Sequence, residues 1–228
     1  MHLTSHPDIT VQKLAIGREQ APLLVIDNLV ANPDELVDAA AGKPYGDVVS
    51  YYPGIRAKAP LSYQHFVLDQ MRGLFTETFG LQGRLRFTAC YFSLVTTAPE
   101  NLAHLQCIPH IDSVLGTELA FVHYLFKRDH GGTAFYRHRH TGFEVVTQER
   151  RTEYFERVEA EKSGPNKPDV GYINGSTALY EQVRSEAGVF NRMLVYRRNS
   201  LHSGSIALPF AVDSNPRTGR LSLNGFIA

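Results

Sequence analysis

The chain has 228 residues, with 23 Lys and Arg against 23 Asp and Glu, so its formal charge is zero before the ten histidines are counted. That balance argues against wholesale attraction to nucleic acid or to an anionic bilayer. A composition of 43% hydrophobic and 20% charged residues is that of a globular chain and excludes overall disorder, and no window approaches the roughly 18 consecutive apolar residues of a membrane span. Two cysteines, Cys90 and Cys107, are too few for a disulfide scaffold or a thiolate zinc site. With no cationic start and apolar core at the N-terminus, this cysteine usage predicts a reducing, cytoplasmic setting. No Pro/Gly/Ser linker divides the chain. One domain is expected over 1–228, with residues 1–80 as supporting strands and helices and 84–228 as a β core.

In chain order, Thr10 to Ile16 and Pro22 to Asp27 read as short strands, the second closed by a turn at Asp27-Asn28. A helix follows, with Asn32 as cap, Pro33 in the first position, Glu35 completing a capping box and Gly42 as the stop. Leu68, Met71, Phe75 and Phe79 recur at helical spacing and predict a second helix ended by Gly80. From residue 84 the texture turns β-branched and aromatic. Strands are predicted over Leu85–Val95, Leu119–Phe126, Thr133–Tyr136, Asn191–Tyr196, Ser203–Leu208 and Arg220–Ile227. The charged segment 144–162 reads as an inserted surface helix, with a lid as one role for it. The pattern predicts a mainly β fold, an antiparallel sandwich or barrel with the helices packed outside.

His110-Ile111-Asp112 places an imidazole and a carboxylate on the same side of extended chain, within reach of one metal. The pair alone is unspecific. Ten His and ten Asp give about 0.4 such pairs by chance, and His6-Pro7-Asp8 is a second one. His202 opens a strand far enough downstream for a hairpin and an insert to return the chain, and two His with one Asp make a facial triad that leaves coordination positions open. Arg220-Leu221-Ser222-Leu223-Asn224 alternates strictly, so Arg220, Ser222 and Asn224 share one face. An inward Arg in a closed β architecture is costly unless it meets an anion, and its forked donors match a carboxylate bidentately, with the Ser222 hydroxyl beside it.

The order His-x-Asp, then a later His followed by Arg-x-Ser on the next strand, resembles the Fe(II)/2-oxoglutarate-dependent dioxygenases, in a prolyl-hydroxylase-like arrangement. His123-Tyr124-Leu125-Phe126, Gly131-Gly132-Thr133-Ala134-Phe135-Tyr136-Arg137 and the opening PLLVIDNLVANPDELVDAA agree with it. The phrases NRMLVYRRNSLHSG and GRLSLNGFI resemble an uncharacterised bacterial branch. The resemblance runs from about residue 22 to the end, although only the sparse motif set is specific. It implies a double-stranded β-helix, of the jelly-roll or cupin-like type, with flanking N-terminal helices. It further implies iron held by His110, Asp112 and His202, and 2-oxoglutarate held by Arg220 and Ser222 with Tyr124 as a third contact. O₂ would be the other co-substrate and an alcohol, succinate and CO₂ the usual products. Asp112 speaks against halogenating variants, which give up the carboxylate ligand. Arg220 stands further past His202 than in many members, which requires residues 209–219 to form a long hairpin.

Each residue also has a plainer reading: a polar turn for His110 and Asp112, a strand-edge histidine for His202, an ordinary ion pair for Arg220, core for Tyr124. Arg137-His138-Arg139-His140 reads as a solvated basic loop, or as the rim of a substrate entrance formed with Tyr136 and Asn224. His104 and Cys107 read as a bland loop or part of the same rim. Tyr51-Tyr52-Pro53-Gly54 reads as an aromatic turn or a stacking platform. The expected partner is a small-molecule or peptidyl substrate; the oligomeric state, a homodimer included, stays open. Two other classes compete, a cupin-type metal enzyme that does not use 2-oxoglutarate and a non-catalytic metal-binding β-barrel module.

Overall fold

The computed structural model describes residues 1–46 and 52–228. In chain order these form β1 (Thr10–Ile16), β2 (Ala21–Asp27), α1 (Pro33–Ala41), β3 (Gly54–Lys58), α2 (Leu61–Phe79), β4 (Phe87–Val95), β5 (Leu119–Tyr124), β6 (Gly131–His138), α3 (Arg151–Glu161), β7 (Tyr180–Ala187), β8 (Met193–Arg197), β9 (His202–Ile206) and β10 (Leu221–Ile227). Every strand pairing is antiparallel. Seven strands form one sheet in the order β1-β2-β8-β5-β10-β4-β3, and three form a second in the order β7-β6-β9. The fold is mainly β and is a double-stranded β-helix, as expected.

Side-chain alternation divides the large sheet into an outer face and an inner face. On the outer face Leu24, Ile26, Phe92, Phe121, Val195, Leu221 and Leu223 pack with Leu36 and Ala40 of α1 and with Tyr63, Phe66, Val67, Met71, Phe75 and Phe79 of α2. Each large apolar side chain so buried contributes about 1.5–3 kcal/mol. The inner face meets the small sheet through Leu23, Val25, Val122, Tyr124, Phe135, Leu194 and Tyr196. A third cluster lies behind the small sheet, where Tyr154 and Val158 of α3 cover Ala134, Tyr136 and Tyr180. The inserted helix is therefore a buttress whose apolar stripe is fixed against a sheet. It is shorter than the charged segment suggested, because Glu144 and Val146 turn inward before it begins.

α1 begins at Pro33 as predicted, yet the Asn32 side chain makes no cap bond, and the Asn32 carbonyl accepts the Glu35 N–H at 3.2 Å instead. α2 starts at Leu61, a full two turns ahead of its clearest apolar spacing, and ends on Gly80, whose left-handed φ of 61° suits glycine. Two strands have no counterpart in the sequence reading, β3 and β7, and both are sheet edges. Edge strands tolerate charge, which erases the apolar alternation that betrays a central strand.

One buried polar network ties the outer layer to the sheet. His123 on β5 stacks on Tyr63 of α2 at 5.9 Å between ring centroids, with Nδ1 3.1 Å from Tyr63 Oη and Nε2 3.1 Å from Asn191 Oδ1. Asn191 Oδ1 also accepts the Val30 N–H, and Asn191 Nδ2 donates to Val30 O. Because that amide oxygen only accepts, Nε2 carries the hydrogen and Nδ1 accepts from the tyrosine. Burial pushes the His123 pKa down to about 4 from an ordinary 6.5, against the pull of Asn191. The unfolded chain then takes up the proton first as pH falls, so this contribution is complete above about pH 6.5 and is lost toward pH 4. His123→Gln should lack about 2 kcal/mol of the stability difference that wild type shows between pH 7 and pH 5. Urea midpoints at the two pH values measure it, and equal slopes in both proteins would contradict the assignment.

Candidate metal centre

Residues 108–112 run antiparallel beside the start of β9. His110 N–H donates to His202 O at 2.9 Å and His202 N–H donates to His110 O at 3.0 Å. Directly opposed residues of such a pair project to one side, and the two imidazoles stand 4.4 Å apart between ring centroids. Asp112 N–H donates to Arg198 O at 2.8 Å, which fixes the other end of the motif. The Asp112 carboxylate lies 3.9 Å from His110 Nε2 and 3.6 Å from His202 Nε2, and one ligand atom from each residue lies within 4.8 Å of the others.

The donor set suits a divalent transition metal. His202 Nδ1 is 2.9 Å from the Ser200 carbonyl, an acceptor only, so Nδ1 carries the hydrogen and Nε2 presents its lone pair. Dense packing around the ring, then the His202 imidazole and the Arg56 guanidinium, push the His110 pKa down to about 4 against the pull of Asp112. Solvent reaches 47% of the His110 side chain, which softens the burial part and leaves one edge of the site open. Bonds of about 2.1 Å at right angles put ligand atoms roughly 3 Å apart, so these groups, within 4.8 Å of one another, close inward by small side-chain rotations when they bind. Behind them, Tyr196 and Phe135 pack on His202 at 4.6 and 6.4 Å between centroids and keep water from its inner side.

A polar row crosses the inner face of the large sheet beside this cluster. Arg56 on β3 opposes Ser93 on β4, Ser93 opposes Ser222 on β10, and Ser222 opposes Tyr124 on β5. Arg220, the residue before β10, donates from Nε to His130 O at 3.0 Å and from Nη2 to Gly132 O at 2.7 Å, and its guanidinium lies over the rings of Tyr124 and Phe126 at 5.9 and 5.5 Å. These two bonds leave three of its five N–H donors. Tyr124 Oη is 2.6 Å from Thr133 Oγ1, and Ser222 donates to Asn224 Oδ1 at 2.7 Å. Burial raises the Tyr52 hydroxyl pKa, while the Arg220 and Arg56 guanidiniums and the Ser222 and Ser93 hydroxyls draw it down, so Tyr52 lies in the field of both arginines. The sequence singled out Arg220, Ser222 and Tyr124, and the fold gathers all three on this face. Residues 209–219 carry the long connection that the spacing requires, closed by turns at Asn215 to Gly219.

The entrance-rim and basic-loop readings need correction at residues 136–138, whereas Arg139 and His140 are exposed in the turn that follows. Tyr136, Arg137 and His138 are strand residues of β6, all buried. Arg137 donates to Glu144 from Nε at 2.8 Å and from Nη2, and to Glu181 from Nη1 at 2.9 Å. Glu144 also accepts the Arg18 and Glu19 N–H groups at 3.0 Å each, beside Gly17, whose φ of 67° and lack of a Cβ let the carboxylate approach. His138 binds Glu161 of α3 at 2.8 Å and Thr141 at 2.9 Å. Tyr136 packs in the cluster behind the small sheet. Asn224, the fourth proposed rim residue, stays on the inner face, where its Oδ1 accepts from Ser222 Oγ at 2.7 Å. His104 lies in a short 3-10 turn and Cys107 is buried with Sγ 3.5 Å from Ala103 O. Of the aromatic turn, Tyr51 falls outside the described residues, and Tyr52 lies 4.2 Å beneath the Arg56 guanidinium.

Sequence reasoning missed Arg56. The available signal was the alternation Ile55-Arg56-Ala57-Lys58 behind Gly54, a run too short and too charged to stand out.

A double-stranded β-helix carrying a His-Asp-His cluster on its inner side is the class that fold and site define. A family model, DUF6445, described as a family of unknown function, matches residues 7–227, and the chain belongs to that family. No curated protein matches the sequence. Among solved structures, HygX from Streptomyces hygroscopicus with nickel and 2-oxoglutarate bound is similar at a TM-score of 0.53 and 14% identity, over 94% of this chain and 87% of that one. The non-heme alpha ketoglutarate dependent epimerase SnoN from nogalamycin biosynthesis is similar at 0.51 and 12%, over 90% and 77%. At these identities the likeness is one of fold.

Two outcomes are expected. Mn(II) at about 100 times its dissociation constant should stabilise the protein by about 2.7 kcal/mol, and His202→Ala or Asp112→Ala should remove the effect in thermal melts. Arg137→Ala should cost about 3–5 kcal/mol in urea unfolding by leaving the buried Glu144 carboxylate without its cation.

Proposed function

We propose that the protein is an Fe(II)/2-oxoglutarate-dependent oxygenase that oxidises a C–H bond of a small-molecule or peptidyl substrate, with hydroxylation as the expected outcome. The observation that carries this reading is the convergence of His110 Nε2, His202 Nε2 and the Asp112 carboxylate beside an inner face that holds Arg220, Ser222 and Tyr124. The shared fold with HygX, whose structure holds nickel and 2-oxoglutarate, supports it. Iron held by these three residues would supply O₂ activation coupled to oxidative decarboxylation of the co-substrate.

The protein's own groups supply orientation and a dry site. The Ser200 carbonyl holds the His202 tautomer, and the Arg198 carbonyl holds the Asp112 main chain. Arg220 is pinned by two main-chain carbonyls, so its remaining donors meet a carboxylate without first losing side-chain freedom. The Ser222 hydroxyl, which donates to Asn224 here, would turn its hydrogen toward that carboxylate. Tyr124, Phe126 and Phe135 exclude water around it.

One observation favours a second reading. The same two carbonyl bonds give Arg220 a purely structural employment, as expected of a cupin-type metal enzyme that does not use 2-oxoglutarate. Anaerobic titration of the Fe(II)-loaded protein with 2-oxoglutarate separates the two. Wild type should develop the weak visible charge-transfer band of the chelate. His202→Ala should abolish it, and Arg220→Ala should need at least about tenfold more 2-oxoglutarate, the loss of roughly 1.4 kcal/mol of binding. Iron binding without any band would reject the 2-oxoglutarate assignment.

A further inference from the structure

Arg56 is a guanidinium of the inner face that the co-substrate reading does not employ and, unlike Arg198 with Glu118, it has no carboxylate partner among the described residues. Its main chain is fixed, with Arg56 N–H donating to Gly46 O at 3.0 Å and Gly46 N–H donating to Arg56 O at 3.1 Å. Its side chain lies over Tyr52 at 4.2 Å and within 5.7 Å of Tyr91, the residue opposite Asn224. Its Nε is buried without a hydrogen-bond partner, and among the described residues no carboxylate lies within 4 Å of the group. Asp112 attracts it and His110 is repelled by it, which places its charge beside the cluster. A buried donor left unmatched costs about 1–3 kcal/mol, a cost that a ligand supplying the acceptor relieves.

Resting on the oxygenase reading, we propose that Arg56 recognises the substrate and that the substrate carries a carboxylate. The charges of Fe(II), the Asp112 carboxylate, 2-oxoglutarate and the Arg220 guanidinium cancel. Arg56 leaves a single positive charge over, which a monoanionic carboxylate matches and a phosphate, nearly dianionic at neutral pH, exceeds. The guanidinium fork fits a planar carboxylate bidentately, and Asn224, opposite Tyr91 on the neighbouring strand, adds a neutral amide to the same face. The rings of Tyr52 and Tyr91 lie 4.2 and 5.7 Å from the cation and attract it through their faces.

The test uses the full chain loaded with Zn(II) and 2-oxoglutarate and two minimal probes, N-acetylglycine and N-acetylglycinamide, followed by ligand-observed NMR titration. N-acetylglycine should bind at least about tenfold more tightly than its amide. Arg56→Gln should erase that preference, and Arg56→Lys, which keeps charge but not the fork, should retain part of it. Equal binding of both probes, a preference that survives in Arg56→Gln, or no binding of either probe would overturn the proposal. The anaerobic charge-transfer titration separates the layers. The 2-oxoglutarate midpoint should be the same in Arg56→Gln and wild type. A midpoint raised tenfold in Arg56→Gln, with Arg220→Ala unaffected, would make Arg56 the co-substrate anchor and overturn the proposal while the oxygenase reading stands. A wild type with no band fails the oxygenase reading itself.

Discussion

The reciprocal main-chain pair between His110 and His202 is the contact on which the rest depends. Two N–H···O bonds of 2.9 and 3.0 Å bring together residues separated by most of the β core, and they fix both imidazoles on one side at 4.4 Å. Neither side chain has to find the other by rotamer search, because the backbone register decides it. The neighbouring elements maintain that register. Tyr154 of α3 reaches the Pro109 carbonyl at 3.5 Å, Arg198 secures Asp112 from both its carbonyl and its guanidinium, and Glu144 O accepts the Leu201 N–H at 2.8 Å. The buried Arg137–Glu144 pair is thus part of the mounting of β9. A buried pair of this kind is weak evidence for stability and better evidence for a fixed geometry.

The large sheet divides labour between its faces. Leu221 and Leu223 point outward into the layer of α1 and α2, while Arg220, Ser222 and Asn224 of the same strand point inward. Packing needs would be met on the inner side by apolar residues at no desolvation cost, as they are at Val122 and Leu194. A row of Arg56, Ser93, Ser222 and Tyr124 across four adjacent strands departs from that solution. The departure sits on the side of the fold that faces the triad, where polar groups acquire a purpose.

How much of this was legible in the sequence follows from where each residue lies. Central strands β2, β5, β8 and β10 carry dense β-branched and aromatic runs because both their faces are covered, and their positions read out to within a few residues. The edge strands β3 and β7 carry Arg56, Lys58, Glu181, Arg184 and Glu186, and a charged edge reads as loop. The triad was legible because a motif with fixed spacing, His-x-Asp, survives without any knowledge of packing. Arg137 and His138 misled for the complementary reason. Their partners, Glu144, Glu181 and Glu161, lie between 7 and 44 residues away, and no local pattern marks a charge as neutralised by a distant one. Arg56 combines both difficulties, an edge strand and no carboxylate partner among the described residues.

The two inner arginines are held in opposite ways, and that difference has a chemical sense. Arg220 is clamped by two carbonyls and stacked on two rings, so its position is set before any ligand arrives. Such preorganisation suits a ligand whose shape never changes, since the freedom lost on binding has already been lost in folding. Arg56 is fixed only at its backbone and by aromatic faces, which constrain its plane more than its reach. On the substrate proposal, a guanidinium of that kind would adjust to the carboxylate presented to it, with its buried Nε gaining an acceptor. On the oxygenase reading, a constant co-substrate and a selected substrate call for one arginine held in each of these two ways.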